Sequence, residues 1–191
     1  MPRPSNLLKS ATLALMLAGA PGVIGLANAE VAVAPEKNPP GDIPDTQVFV
    51  TFTSDAGYSL KVPEGWARSG IGTDVTFTDK LDGVSVSLAS ASTAPNVDWA
   101  KAHYLPQMVQ AGRAVKVTQV SAVELPVGSA VLIAYSANSD PNPVTSKQLR
   151  LEGNRYLIWH KGAMAVLDMT APFGADNVDQ WKLMSDSFRW Q

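Results

Sequence analysis

Five stretches in the second half of the chain, Val115 to Val123, Ala130 to Ala137, Val144 to Glu152, Arg155 to His160 and Ala163 to Thr170, carry strand character and almost nothing between them. The gaps are Pro126-Val127-Gly128, Ser139 to Pro143, Gly153-Asn154 and Lys161-Gly162. A parallel return needs a crossover of about a dozen residues or more, so these segments can pair only as antiparallel hairpins. The first half reads the same way. Val48, Val50 and Phe52 alternate with Phe49, Thr51 and Thr53, Ser54 to Gly57 turns the chain into Tyr58 to Val62, and Val75 to Thr78 and Val84 to Ser90 follow.

Two helices complete the pattern. One is expected after Asn96 and before Gly112, with Val97, Ala100, Tyr104, Met108 and Ala111 at helical spacing. Pro106 removes a backbone donor inside it, which predicts a kink or two short helices meeting at Leu105. The other starts at Asp176 or Asn177 and sets Val178, Trp181, Met184 or Ser185, and Phe188 along one stripe. Apolar residues point both ways in the strand holding Val131, Ile133 and Tyr135, which argues for a sheet covered on both faces. The expected fold class is therefore α+β, an antiparallel meander with helices on both faces.

Upstream, Arg3 and Lys9, the apolar run Ala11 to Ala20 and Ala27-Asn28-Ala29 have the order of an export signal cleaved before Glu30. The rival reading is an uncleaved anchor, but Gly19, Pro21, Gly22 and Gly25 interrupt a stretch barely as long as the roughly 20 apolar residues a spanning helix needs. The expected organisation is a signal over residues 1–29, a Pro-rich linker over 30–46 with Pro35, Pro39, Pro40 and Pro44, and one domain over 47–191. Without Arg3 and Lys9 the 15 Lys and Arg fall to 13 against 17 Asp and Glu, a formal charge of −4 that disfavours nucleic acid as partner. With no cysteine, disulfides, thiolate metal sites and a lipidated cysteine are excluded, so the core alone must hold an exported domain together.

If Gly153-Asn154 and Lys161-Gly162 are both two-residue turns, pairing follows by counting. Glu152 faces Arg155, Arg150 faces Leu157 and Gln148 faces Trp159, while across the next hairpin Arg155 faces Asp168, Leu157 faces Val166 and Trp159 faces Met164. One face then carries Leu149, Leu151, Tyr156, Ile158, Ala165 and Leu167, and the other mixes Gln148, Arg150, Arg155, Trp159 and Asp168 with apolar residues. That mixed face has two readings. Either the terminal helix covers it, with Arg155 bridging Glu152 and Asp168 at its rim, or it is a concave surface on which Trp159 and Arg150 anchor a ligand or partner. Gln148, Arg150, Arg155, Trp159 and Asp168 are the candidate binding residues.

No other constellation carries chemistry. His103 and His160 fall in different halves, Asp74, Asp79 and Asp82 are explained by turns, and Ser69-Gly70-Ile71-Gly72 lacks the context of a nucleophile elbow or dinucleotide loop. No catalytic residue, metal or cofactor is expected. Trp66 and Trp181 read as core residues, and Trp99 as a boundary or contact residue.

Two segments bracket the domain, Tyr58 to Trp66 with its Tyr-x-x-x-x-Pro-x-Gly-Trp pattern, and Trp181 to Trp190 ending in Ser187-Phe188-Arg189. With Val75 to Asp79, the helix and the meander between them, they resemble the PsbP-like superfamily. The run Asp42 to Thr46, the Tyr58 to Trp66 segment and the turn Gly174 to Asn177 are similar to LpqN-type envelope lipoproteins of actinobacteria. The resemblance spans Asp42 to Trp190 and implies a helix-flanked antiparallel sheet in an envelope accessory protein. Those relatives usually carry a lipidated cysteine after the signal, which this chain lacks. The expected function is an exported, non-catalytic accessory or binding protein of the cell envelope, monomeric, whose partner is an envelope protein or a small amphiphilic ligand; the alternatives are a carrier of a small amphiphilic or lipid ligand between sheet and helix, and a hydrolase of unrecognised type.

Overall fold

The computed structural model describes residues 30–191, so the export signal lies outside the described residues. Among the described residues ten strands form two sheets, in the order β1-β2-β10 and β3-β4-β5-β9-β8-β7-β6, with every pairing antiparallel. The small sheet contains β1 (Phe49–Ser54), β2 (Tyr58–Pro63) and β10 (Arg189–Trp190). The large one contains β3 (Ala67–Ile71), β4 (Asp74–Asp79), β5 (Asp82–Ser90), β6 (Lys116–Leu125), β7 (Gly128–Asn138), β8 (Arg150–His160) and β9 (Ala163–Pro172). This is an antiparallel α+β fold, as the short gaps demand.

The bracketing segments meet in space. Arg189 pairs with Ser59 and Trp190 with Tyr58, while the rings of Tyr58 and Phe188, both fully buried, stack 5.7 Å apart. The Ser187 hydroxyl accepts from Lys61 N at 2.7 Å. β3 and β10 were not legible as strands: all of β3 is exposed, so no apolar alternation marks it, and β10 is only two residues long.

Two apolar clusters divide the large sheet. On one face Val84, Val86, Tyr156, Ile158 and Leu167 pack with Tyr58 and Leu60 of the small sheet and with Trp181, Met184 and Phe188 at the end of the chain. On the other, Val131, Ile133, Leu157 and Met164 pack with Ala100 and Met108. Both faces of β7 to β9 are therefore apolar at their centres because both are covered.

The helix over this second face begins at α1 (Val97–Trp99), where Asn96 Oδ1 accepts from Trp99 N at 2.8 Å. It widens into a π-helical stretch, Ala100–Tyr104, and resumes as α2 (Leu105–Ala111). Leu105 N donates to Ala100 O, five residues back, just before Pro106. The wider turn makes room for a proline ring that would otherwise clash with the preceding turn. Helix α3 (Val178–Ser187) buries Gln180, Trp181, Met184 and Ser185, whereas Val178 is 73% exposed and falls off the expected stripe.

The Pro-rich stretch is in contact with the domain at both ends. Asn138 holds Glu30, Val31 and Val33 by hydrogen bonds of 2.8 to 3.0 Å. Further on, Ile43 is buried, its N–H donates to Asn177 Oδ1 at 2.7 Å, and Asn177 Nδ2 donates to Gly41 O at 2.8 Å. Proline supplies the extended shape, and side chains from the folded body satisfy the backbone groups that an extended strap leaves free.

Candidate functional site

The hairpin at Lys161-Gly162 has positive φ at both turn residues, 43° and 88°, the geometry whose twist matches its strands. The resulting register places Trp159 opposite Met164, Leu157 opposite Val166 and Arg155 opposite Asp168, as counted from the sequence. Arg155 Nη2 donates to Asp168 Oδ2 at 2.6 Å, and the two side chains are only 21% and 13% exposed.

Tyr135, on the neighbouring strand β7, completes this cluster. Its hydroxyl lies 3.0 and 2.9 Å from the two Asp168 carboxylate oxygens and donates its proton to that carboxylate. To reach it the ring must pass over β8, and it does so above Gly153, where a Cβ would fall 2.7 Å from Tyr135 Cζ. The Arg155 guanidinium carbon sits 5.4 Å from the Tyr135 ring centroid, and Nη1 reaches the Tyr104 hydroxyl at 3.4 Å.

Electrostatics make the cluster unreactive. Burial pushes the Tyr135 phenol far above its ordinary pKa, and the adjacent Asp168 carboxylate adds to the shift. Burial also raises Tyr104, against the pull of Arg155. For Arg155, burial works against the charge, but the hydrogen bond and charge of Asp168 outweigh it and hold the guanidinium protonated. A phenol that stays neutral and a guanidinium that stays charged make poor general acids or bases near neutral pH.

The second turn is not where the count placed it. Gly153-Asn154 lies inside β8, which runs unbroken from Arg150 to His160, and the chain reverses earlier, between Asn138 and Arg150. There Asn142 Oδ1 accepts from Val144 N and Thr145 N, so Val144 to Leu149 forms a loop instead of a strand. Gly-Asn is a strong turn signal, but here the glycine is needed for the Tyr135 crossing. Because side chains alternate along a strand, losing that turn moves Arg150 and Glu152 to the face opposite Arg155. Glu152 pairs with Ala171 and Ser136, and Arg150 with Asn138.

The five candidate residues thus do not share one surface. Arg150 is 6% exposed and donates to Ala114 O, Asn138 Oδ1 and Ser136 Oγ at 2.8, 3.1 and 2.6 Å. Gln148, in the loop, donates to Glu30 Oε1 at 2.6 Å and Ser139 O at 3.1 Å. Trp159 Nε1 donates to Ala91 O at 2.7 Å, and the half-buried ring packs on the helix-covered face. Trp159, Arg155 and Asp168 share one face as counted, and of the five only Arg155 and Asp168 bond to each other.

Beside that pair a cleft of about 360 Å³ opens between α2 and the sheet, with Met108, Val115, Ala137 and Leu151 as walls and Arg113 and Arg155 among its polar groups. The Nε donors of both arginines are buried without a partner, although Arg113 also pairs with Glu30 at 3.2 Å. Arg113 gave no signal in the sequence, since its role depends on Gly112 ending the helix there. Across the sheet, a groove of about 420 Å³ runs between α3 and β6, with Tyr156 and Trp181 among its lining residues and the exposed Val178 beside them. His103 lies against Trp99 and His160 against Trp190, and among the described residues no three metal-ligating side chains come together.

No protein-family model matches the sequence, and no curated protein matches it. Among solved structures, the chain is similar to the solution structure of cyanobacterial PsbP (CyanoP) from Synechocystis sp. PCC 6803, at 14% identity and a TM-score of 0.53. That match covers 79% of this chain and 98% of the other. A crystal structure from Bacteroides thetaiotaomicron VPI-5482 matches at 11% identity and a TM-score of 0.47, over 74% of this chain and 48% of that one. At these identities the likeness concerns architecture, and by that measure the chain has a PsbP-like fold.

Proposed function

We propose that this protein is a non-catalytic accessory or binding module, exported and released near Ala29, that acts on an envelope partner as a monomer without a lipid anchor. The LpqN-type motifs and the export signal support the location. The PsbP-like antiparallel fold supports the accessory role. The observation that carries the reading is that the charged groups around Arg155 bond chiefly to one another: Asp168 serves Arg155 and Tyr135, and two of the three Arg155 nitrogens serve Asp168 and Tyr104. Such a network holds strands together and has no free nucleophile-base pair to offer. Affinity capture from envelope extracts, with the purified protein as bait, is expected to recover the same protein in replicate experiments. Failure to enrich any protein over a scrambled-surface control would contradict it.

A second reading is carriage of an anionic amphiphile in the α2 cleft, which the partnerless Arg113 and Arg155 donors and the apolar walls support. Native mass spectrometry with added lauric acid is expected to give a 1:1 adduct that Arg113→Ala weakens. An unchanged spectrum across fatty acids of several lengths would remove this reading and leave the first intact.

A further inference from the structure

A cleft of about 260 Å³ lies where the Pro-rich strap crosses the turn between β4 and β5, with Gly41, Asp42 and Ile43 on one side, Asp79 to Asp82 on the other, and Trp66 beside them. Asp82 is 8% exposed, and its Oδ1 is buried with no hydrogen-bond partner. That oxygen points at the strap, 3.3 Å from where a Cβ on Gly41 would stand. A buried carboxylate oxygen without a donor costs folding free energy, so a missing donor is the natural question at this position.

We infer that this cleft binds a small organic cation, an amine or a quaternary ammonium, anchored by the carboxylate of Asp82 against the Trp66 ring, with Asp79 and Asp42 adding negative charge at its edge. Three features choose this class of ligand. Charge comes first: three carboxylates face one cation, Lys80, which among the described residues forms no ion pair with any of them. Next is the kind of cation. A hard metal ion needs several oxygen ligands in one coordination sphere, and no three carboxylates converge in that way here, whereas an ammonium needs only one or two carboxylates and an aromatic face. Size is the third, since the cleft is smaller than a drug-sized pocket and suits a compact ligand.

Asp42 is only half available, because its Oδ1 accepts from Asp176 N at 2.8 Å. Asp82 is therefore the main anchor. Burial, with the charges of Asp79 and Asp42 adding and Lys80 opposing, pushes its carboxyl up to about 7. A cation binds the ionised form, so affinity should rise as pH passes upward through that value.

The test is an NMR titration of the purified protein with choline chloride, alongside its neutral isostere 3,3-dimethylbutan-1-ol and calcium chloride. Choline is expected to shift the Trp66 indole and the Gly41 and Gly83 amides saturably, with millimolar affinity that strengthens from pH 6 to pH 8. Asp82→Asn keeps the shape and removes the buried charge, so the fold is retained, and binding should weaken about tenfold or more. Lys80→Ala, at an exposed turn position, should tighten binding severalfold. The inference is overturned if choline produces no saturable shift, if the neutral isostere does as well, if Asp82→Asn binds like the parent, if Lys80→Ala fails to tighten binding, or if calcium alone saturates these resonances.

Discussion

Asp168 holds both the Tyr135 hydroxyl and the Arg155 guanidinium on the face covered by α2. Replacing it with Asn leaves the Arg155 guanidinium largely buried without its counter-charge, and chemical denaturation should show a loss of about 3 kcal/mol. Tyr135→Phe removes one donor to the same carboxylate and should cost about 1 kcal/mol. The double variant should lose less than the sum, because the two changes share a partner. The Arg155–Asp168 contact was legible in the sequence, since a two-residue turn at Lys161-Gly162 sets it by counting. Tyr135 was not, because its partner lies two strands away and the contact requires a glycine in mid-strand. At Asp82 the prediction concerns pH. Its folded-state pKa of about 7 lies above the ordinary 3.8, so the folded form holds the proton more tightly than the unfolded chain does. Stability should therefore be highest below the unfolded value and fall as pH rises from about 4 to 7. Urea midpoints measured across that range should decline for the parent and decline less for Asp82→Asn, which should be the more stable of the two at pH 8.

Among the elements, the strap is held by the start of α3 more than by its own sequence. Asn177 is 2% exposed, and its amide satisfies both Ile43 N and Gly41 O, while Gln180 donates to Ile43 O at 3.1 Å. Asn177→Ala should release Gly41 to Asp45, seen as faster hydrogen exchange in that segment with β7 to β9 unchanged, at a cost of about 1–3 kcal/mol. Proline content pointed to an extended segment but could not say what it would lie against, because its partners Asn138, Asn177 and Gln180 lie more than 100 residues away in sequence. The same limit explains the misplaced hairpin at Gly153-Asn154. Local turn chemistry was right for Lys161-Gly162 and wrong for Gly153-Asn154, where a long-range packing need, room for the Tyr135 ring, outweighs it. An irregularity near Leu105 was readable from Pro106, but in place of the expected kink or pair of short helices the chain widens into the π-helical stretch Ala100–Tyr104.

At the scale of the whole molecule, both ends of the described residues contribute to one body. The C-terminal segment adds a strand to β2, and the strap buries Ile43 in the larger apolar cluster. Deleting residues 30–46 should lower the melting temperature measurably, whereas a free tether would leave it unchanged. The overall architecture was legible because short gaps dictate antiparallel pairing. The way the small sheet folds onto the large one was not, because no local pattern specifies how two sheets pack. The proposed function requires that this body work by binding, with the Arg155, Asp168 and Tyr135 cluster spent on holding strands together. In-cell cross-linking of the protein, expressed with its own leader in the organism that encodes it and analysed by mass spectrometry, tests that claim most directly. The predicted result is one reproducible envelope partner, retained in Asp168→Asn under conditions where that variant is folded. Cross-links no richer than those of an unrelated exported control, together with a substrate turned over by the parent and not by folded Asp168→Asn, would contradict it.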